Sequence, residues 1–304
     1  MPLIRRWNNF FFSLAPPTDL AVCRTLFCAG MLAHLCTTKF WRWASVPHVF
    51  FRPIWLYDSL GLSIVSERWM IIMQLSAIAL LSLAMVGVLT RVALAVAGGL
   101  LLYLLALPSN FGKVGHGDAI LVLTTFILAL SRCDEALSLE HFVLRKNRPA
   151  AQPSGEYRWP IVLVCVLMSL VFFGAGVTKL RRSGLAWITS NHFANLIAQH
   201  HRSTPSHWSL FIAAHPALYH TLAGCTILGE ILFPLALFSR RLRPTLVFLA
   251  FVSQVLIGLT LGVWFLQFML CYIFWIPWTD LASRMRSRSG GEMLPATKAV
   301  STTL

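Results

Sequence analysis

Charge is scarce in this chain of 304 residues. Asp, Glu, Lys and Arg together make up 12% of it, where soluble domains carry about 25%. That shortage excludes an ordinary water-soluble domain. It is also one-sided, with 11 acidic residues against 25 basic ones and a net charge of +14. Cysteine is too scattered to build with. There are seven, none in a C-x-x-C pair, so neither a disulfide framework nor a zinc site is implied. Strict apolar/polar alternation is missing too, and the apolar runs are continuous over about 20 residues, which excludes a transmembrane β-barrel. No internal repeat or low-complexity tract occurs. Arg5 and Arg6 precede an apolar stretch, but Pro16, Pro17 and Asp19 interrupt it, so no cleavable signal peptide is expected.

What the chain has is apolar length. Hydrophobic residues make up 57% and the mean hydropathy is +0.70. The expectation is an all-α, polytopic helical membrane bundle of about eight spans. These fall at residues 19–38, 69–89, 91–108, 118–131, 160–178, 216–238, 244–262 and 263–279, each allotted about 20 residues to cross the hydrocarbon. Residues 39–68 mix Trp41, Trp43, Phe50, Phe51, Trp55 and Tyr57 with Pro47 and Pro53, a composition suited to a segment lying on the bilayer. Residues 180–215 hold a short helical pattern, Ile188, Phe193, Leu196 and Ile197. Residues 132–159 read as a flexible, solvated loop, and the Arg/Ser/Gly-rich tail from Arg284 reads as disordered. The domain division is therefore a cytoplasmic segment over 1–17, a transmembrane domain over 18–280 and a basic tail over 281–304.

The basic residues sit between the apolar runs, so they report on membrane topology and no nucleic-acid partner is expected. With the N-terminus on one side, that side holds Arg5, Arg6, Arg91, Arg132, Arg145, Lys146, Arg148, Arg158, Arg240, Arg241, Arg243, Arg284, Arg286, Arg288 and Lys298. The other holds Lys39, Arg42, Arg52, Arg68, Lys113, Lys179, Arg181, Arg182 and Arg202. The split of 15 to 9 places a multi-pass protein in the cell membrane with both termini cytoplasmic.

Ionisable residues inside apolar runs are costly and need a reason. Five qualify: Arg24, His116, Asp118, Lys179 and Glu230. Lys179 ends the fifth span, directly after the small-residue stretch Gly174–Ala175–Gly176. Small residues admit a neighbouring helix or a ligand, and a desolvated lysine there is suited to act as a base. The alternative is a lysine that snorkels to the headgroups. Arg181 and Arg182 stand beside it against the inside-positive bias and are candidates for substrate binding. His116 lies among Gly112, Gly115 and Gly117. Asp118 could cap the next helix or orient the His116 ring. Glu230, inside "ILGEILFPLALF", needs a partner, and Arg24 is the candidate. Pro234 should kink that span. His192, His200, His201, His207, His215 and His220 have neither carboxylate nor cysteine among them, so no metal site is expected. The Gly174–Gly176 triplet lacks the third glycine and the strand of a dinucleotide fingerprint.

"FFGAGVTKLRRSGLAW" resembles the signature of the vitamin K-dependent gamma-carboxylase and its bacterial relatives, the HTTM (horizontally transferred transmembrane) domain proteins. The matching positions are Phe172, Phe173, Ala175, Gly176, Lys179, Leu180 and Trp187. "GHGDAILVLTTFILAL" is similar to the family's histidine segment, "DLAVCRTLFCAGML" to its opening Arg-x5-Gly span through Arg24 and Gly30, and "LGEILFPLAL" to its Glu-x3-Pro span through Glu230 and Pro234. A histidine of the family's seventh span is matched by Gln254. The resemblance implies a membrane enzyme acting on a lipid-soluble, quinone-like molecule, with Lys179 as base and His116 as second acid/base, at a site on the outer face. The rival class is a non-catalytic binding or transport component that holds an anionic headgroup. A third is a purely structural subunit.

The topology has a direct test. Reporter fusions at residues 150 and 203 should report inside and outside, respectively; an outside signal at 150 overturns the assignment.

Overall fold

The computed structural model describes residues 2–112, 117–144, 152–201 and 207–290. Among them the chain is helical, with no strand and one isolated bridge between Ala15 and Ser154. In chain order the α-helices are α1 (Pro2–Phe12), α2 (Pro17–Thr37), α3 (Trp55–Ser59), α4 (Glu67–Val86), α5 (Thr90–Ala106), α6 (Ala119–Leu130), α7 (Leu139–Leu144) and α8 (Arg158–Ser183). They continue as α9 (Ala186–Thr189), α10 (His192–His201), α11 (His207–Ala214), α12 (Pro216–Leu232), α13 (Leu235–Phe238), α14 (Arg243–Leu261), α15 (Leu266–Cys271) and α16 (Trp278–Gly290). Pro17, Pro216 and Pro244 sit in the first turns of α2, α12 and α14, where a missing N–H costs nothing. Gly87 closes α4 at φ 82°, a conformation that favours glycine.

Five stretches are long and apolar enough to cross a membrane: Pro17–Thr37, Glu67–Val86, Thr90–Phe111, Gly155–Ser183 and Arg243–Leu261. A sixth is formed only if α11 and α12 count as one, and they are bent by 99°. The two remaining candidates are shorter apolar helices, Ala119–Leu130 and Leu266–Trp275. The expected unbroken run over 216–238 ends at Leu232, and Pro234 starts the separate helix α13.

Hydrogen bonds at the helix ends sort them into two sets. At one end the Asp19 carboxylate accepts from the Thr279 backbone N–H at 2.7 Å, Ser138 Oγ donates to the Gly87 carbonyl at 2.7 Å, and Ala15 pairs with Ser154. At the other, the Ile54 N–H donates to Asn110 Oδ1 at 2.8 Å and Gln267 Nε2 to Asp118 Oδ1 at 2.6 Å. The long helices therefore alternate in direction. The main core runs through α2, α4, α5, α6 and α8, with Leu20, Phe27, Met31, Leu81, Leu94, Leu101 and Met168 fully buried. A second cluster, Phe193, Ile197, Tyr219, Ala223 and Leu261, joins α10, α12 and the end of α14. It includes the apolar positions expected at 193 and 197. Outside the core the long helices stay apolar: Leu75, Val92, Leu170, Phe248 and Leu259 are all more than half exposed.

Arg24 is fully buried, but its partner differs from the expected one. Its Nη1 donates to the Cys133 carbonyl at 2.8 Å and its Nη2 to the Leu137 carbonyl at 2.6 Å. Glu230 belongs elsewhere. The reason is level: Arg24 lies two turns into α2, at the end where residues 131–138 turn back, and a guanidinium fork fits two carbonyls presented by one loop. The same contact corrects the expectation of a solvated loop over 132–159. Cys133 and Ser138 are buried, α7 follows, and burial pushes the Cys133 thiol up to about 11. Leu137 adopts φ 48°, in the left-handed region. The basic tail also departs from expectation, because α16 is helical as far as Gly290; residues 291–304 lie outside those described.

Replacing Arg24 by Leu strands two buried carbonyls, so thermal unfolding in detergent should show a loss of about 3 kcal/mol. Combined with Glu230→Gln, the two losses should add to within about 0.5 kcal/mol; a large coupling between these two positions contradicts the arrangement.

Candidate functional site

The site is built at the crossing of α8 and α12. Gly176 is buried there, and a Cβ on it would lie 2.9 Å from Ile231 Cγ1, 3.1 Å from Glu230 Cβ and 3.4 Å from the Ile227 carbonyl. No side chain fits, so the two helices come closer than ordinary side chains allow. Gly174 has nothing within 4 Å. Of the two glycines in the triplet, only Gly176 makes the crossing. Lys179 stands three residues further on, on the same face of α8, and close approach delivers Glu230 to it.

Lys179 Nζ forms an ion pair and hydrogen bond with Glu230 Oε1. The side chains are 26% and 15% exposed, respectively. Lys179 Nζ also lies over the Trp187 ring, 5.3 Å from its centroid, within cation–π range. Glu230 Oε2 is buried with no hydrogen-bond partner. About two turns further into α8, Phe172 stacks on Phe233 at 4.5 Å between centroids, and Phe233 meets the Trp275 edge at 5.3 Å. Trp187 thus stands beside the ion pair, and an aromatic stack lies deeper along the same crossing. Beyond it, α9 and α10 are tied to the projecting half of α12. The Tyr219 hydroxyl donates to Asn191 Oδ1 at 2.7 Å, and His220 Nδ1 is bonded to the Ile188 carbonyl.

The other expected site residues are distributed differently. Arg181 and Arg182 are exposed at the end of α8, and neither joins the Lys179–Glu230 pair. Asp118 makes no capping bond to α6; it holds Gln267 of α15 instead. His116 lies outside the described residues. Arg24 is at the opposite end of α2 from this site's level, as described above. Gln267, Asn191 and Tyr219 carry no local signal that singles them out, because their partners are remote in the chain. Gln254 is buried with its Oε1 unpartnered. Among the described residues no group of three or more His, Cys, Asp or Glu side chains comes together to hold a metal ion.

Chemically, the pair offers an amine and a carboxylate that share a proton in a poorly solvated place, with a spare carboxylate oxygen. Such a pair can accept a proton from an acidic hydroxyl, or hold an anion on the ammonium. Comparison offers no shortcut to a choice between them. No family model, curated protein or solved structure matches the chain.

The two glycines should separate cleanly. Gly174→Ala adds a good helix former in open space and should stabilise by about 0.5–1 kcal/mol. Gly176→Ala gains the same propensity but forces α12 outward, and its thermal unfolding should fall below wild type by about 1–3 kcal/mol.

Proposed function

We propose that this chain is a multi-pass integral protein of the cell membrane, of the HTTM, gamma-carboxylase-like type, and that the Lys179–Glu230 pair is a proton-transfer site for a lipid-soluble, quinone-like molecule. In this reading the bundle makes eight passes and both termini are cytoplasmic. The outward apolar faces of α4, α5, α8 and α14 support insertion, since soluble monomers rarely expose such continuous apolar surface. The two short helices α6 and α15 cross only with the help of the turns that flank them, which is tolerable where neighbours cover the backbone.

One observation carries the functional reading. Lys179 and Glu230 come from two segments that separately resemble the family, and they meet at one crossing with a carboxylate oxygen left unpartnered. In this reading the Lys179 ammonium passes one proton along its hydrogen bond to Glu230. The neutral amine of Lys179 then takes the proton from a substrate hydroxyl. The product is a substrate oxyanion beside a lysine ammonium, with Glu230 holding the first proton. Trp187 and the Phe172–Phe233 stack give a flat apolar ring something to lie against.

A second reading is favoured by the same ion pair in its charged form. An ammonium held by Glu230 and facing Trp187 keeps two donors free and suits a binding or transport component that retains an anionic headgroup. Arginine separates the two, because guanidinium holds an anion but does not act as a base. In a strain where loss of the protein has a measurable phenotype, Lys179→Arg and Lys179→Ala should fail equally at normal membrane levels, and Glu230→Gln should fail with them. Rescue by arginine gives the site to the binding reading.

A further inference from the structure

At the end of the bundle opposite Lys179, the helix α1 lies against α8 and the α12–α13 break. Arg158 Nε donates to the Phe10 carbonyl at 3.3 Å, and the Phe10 ring stacks on Phe238 at 5.8 Å. Between these helices runs an open cavity of about 950 Å³, walled by side chains that include Trp7, Phe11, Leu170, Phe173 and Leu237. It follows α8 from Val166 to Phe173, seven residues or about 10 Å along the axis. Its volume is at the upper end of the range for ligand pockets, about 300–1,000 Å³. Trp7 is 62% exposed and Leu170 60% exposed, so these walls have no protein covering them. The wall contains one charged side chain, Arg6.

Arg5 precedes Arg6 on α1, and a separate group of arginines gathers at the start of α8. Arg240 and Arg241 lie in the turn before α14, and the charges of Arg240 and Arg243 act on Arg158. Arg243 is turned to the Ala236 carbonyl at 3.0 Å. None of these six arginines takes part in an ion pair among the described residues, and Glu156, in the turn just before α8, makes none with them. An uncovered apolar channel whose wall carries one guanidinium, Arg6, without an ion pair among the described residues matches one chemistry, a molecule with an apolar tail and an anionic head.

We propose that this groove binds an anionic phospholipid, with an acyl chain lying between α1 and α8 and the phosphate on Arg6. The proposal rests on the membrane reading above and is independent of the chemistry at Lys179. A neutral isoprenoid would fill the channel but leave Arg6 unsatisfied. A free phosphate would meet Arg6 but leave the channel empty.

Native mass spectrometry of the purified full-length protein tests this with phosphatidylglycerol and phosphatidylcholine of matched chains, and with glycerol phosphate alone. Phosphatidylglycerol should be retained in preference to phosphatidylcholine. Arg6→Gln should cut that preference by about fivefold, the contribution of one basic residue at an anionic surface. Leu170→Trp, which fills the channel, should reduce retention of both lipids, and glycerol phosphate should not be retained. Equal retention of the two lipids by the wild type, or an unchanged preference in Arg6→Gln, overturns the proposal. Resistance of the protein to alkaline extraction from membranes is measured alongside. Extraction into the supernatant defeats the membrane reading itself, whereas resistance without lipid preference defeats only the lipid site.

Discussion

The absence of a side chain at Gly176 sets the separation of α8 and α12, and most of what distinguishes this bundle follows from that separation. Close approach brings Glu230 against Lys179. One turn along, it lets Phe172 stack on Phe233. The chain then breaks at Pro234, and α13 continues toward α1, where Leu237 and Phe238 help wall the apolar channel. A single register between two helices thus places polar chemistry at one end and an apolar groove toward the other.

The bundle resolves its buried charges in two ways. Arg24 is held by two neutral carbonyls through its Nη atoms, with no opposite charge beside it. That arrangement suits a place near the bundle's end, where the loop over residues 131–138 supplies the carbonyls. Lys179 and Glu230 cancel each other instead. The desolvation cost of two paired ions nearly offsets their attraction, whereas a lone buried charge is opposed by several kcal/mol. The pair is therefore weak evidence for stability.

The long helices were legible because length and hydropathy decide them locally. Expected runs at 19–38, 69–89, 91–108 and 244–262 lie within a few residues of α2, α4, α5 and α14. The pairing of charges was not legible. It depends on the level at which α12 passes α8, and nothing in either segment alone states that level. Glu230 reads as mid-span if the helix is taken from 216 to 238, yet α12 begins well beyond Lys179 and ends just after Glu230. The loop over 132–159 misled for a similar reason. Its polar composition reads as a loop, but Cys133 is buried and the Cys133 and Leu137 carbonyls are bound by a guanidinium more than 100 residues upstream. Helix α1 was missed because its alternation of arginines with Trp7, Phe10 and Phe11 is only 11 residues long, and the two prolines after it drew attention to the break.

The contact between the start and the close of the bundle has a consequence for how the chain is made. Thr18 and Asp19, in the first turn of α2, hold Thr279 of α16 across 260 and more residues. Cys23, four residues beyond Asp19, reaches the Ile273 carbonyl, and the ring of Phe27 meets that of Phe274 at 6.2 Å. Helix α2 is made well before these partners and therefore waits with one flank unoccupied until the segment around Ile273 to Thr279 arrives to seal it. Contacts so distant along the chain form late, so a nascent chain halted before residue 270 carries an open seam along α2, and that seam is where assembly factors or neighbouring copies have their opportunity.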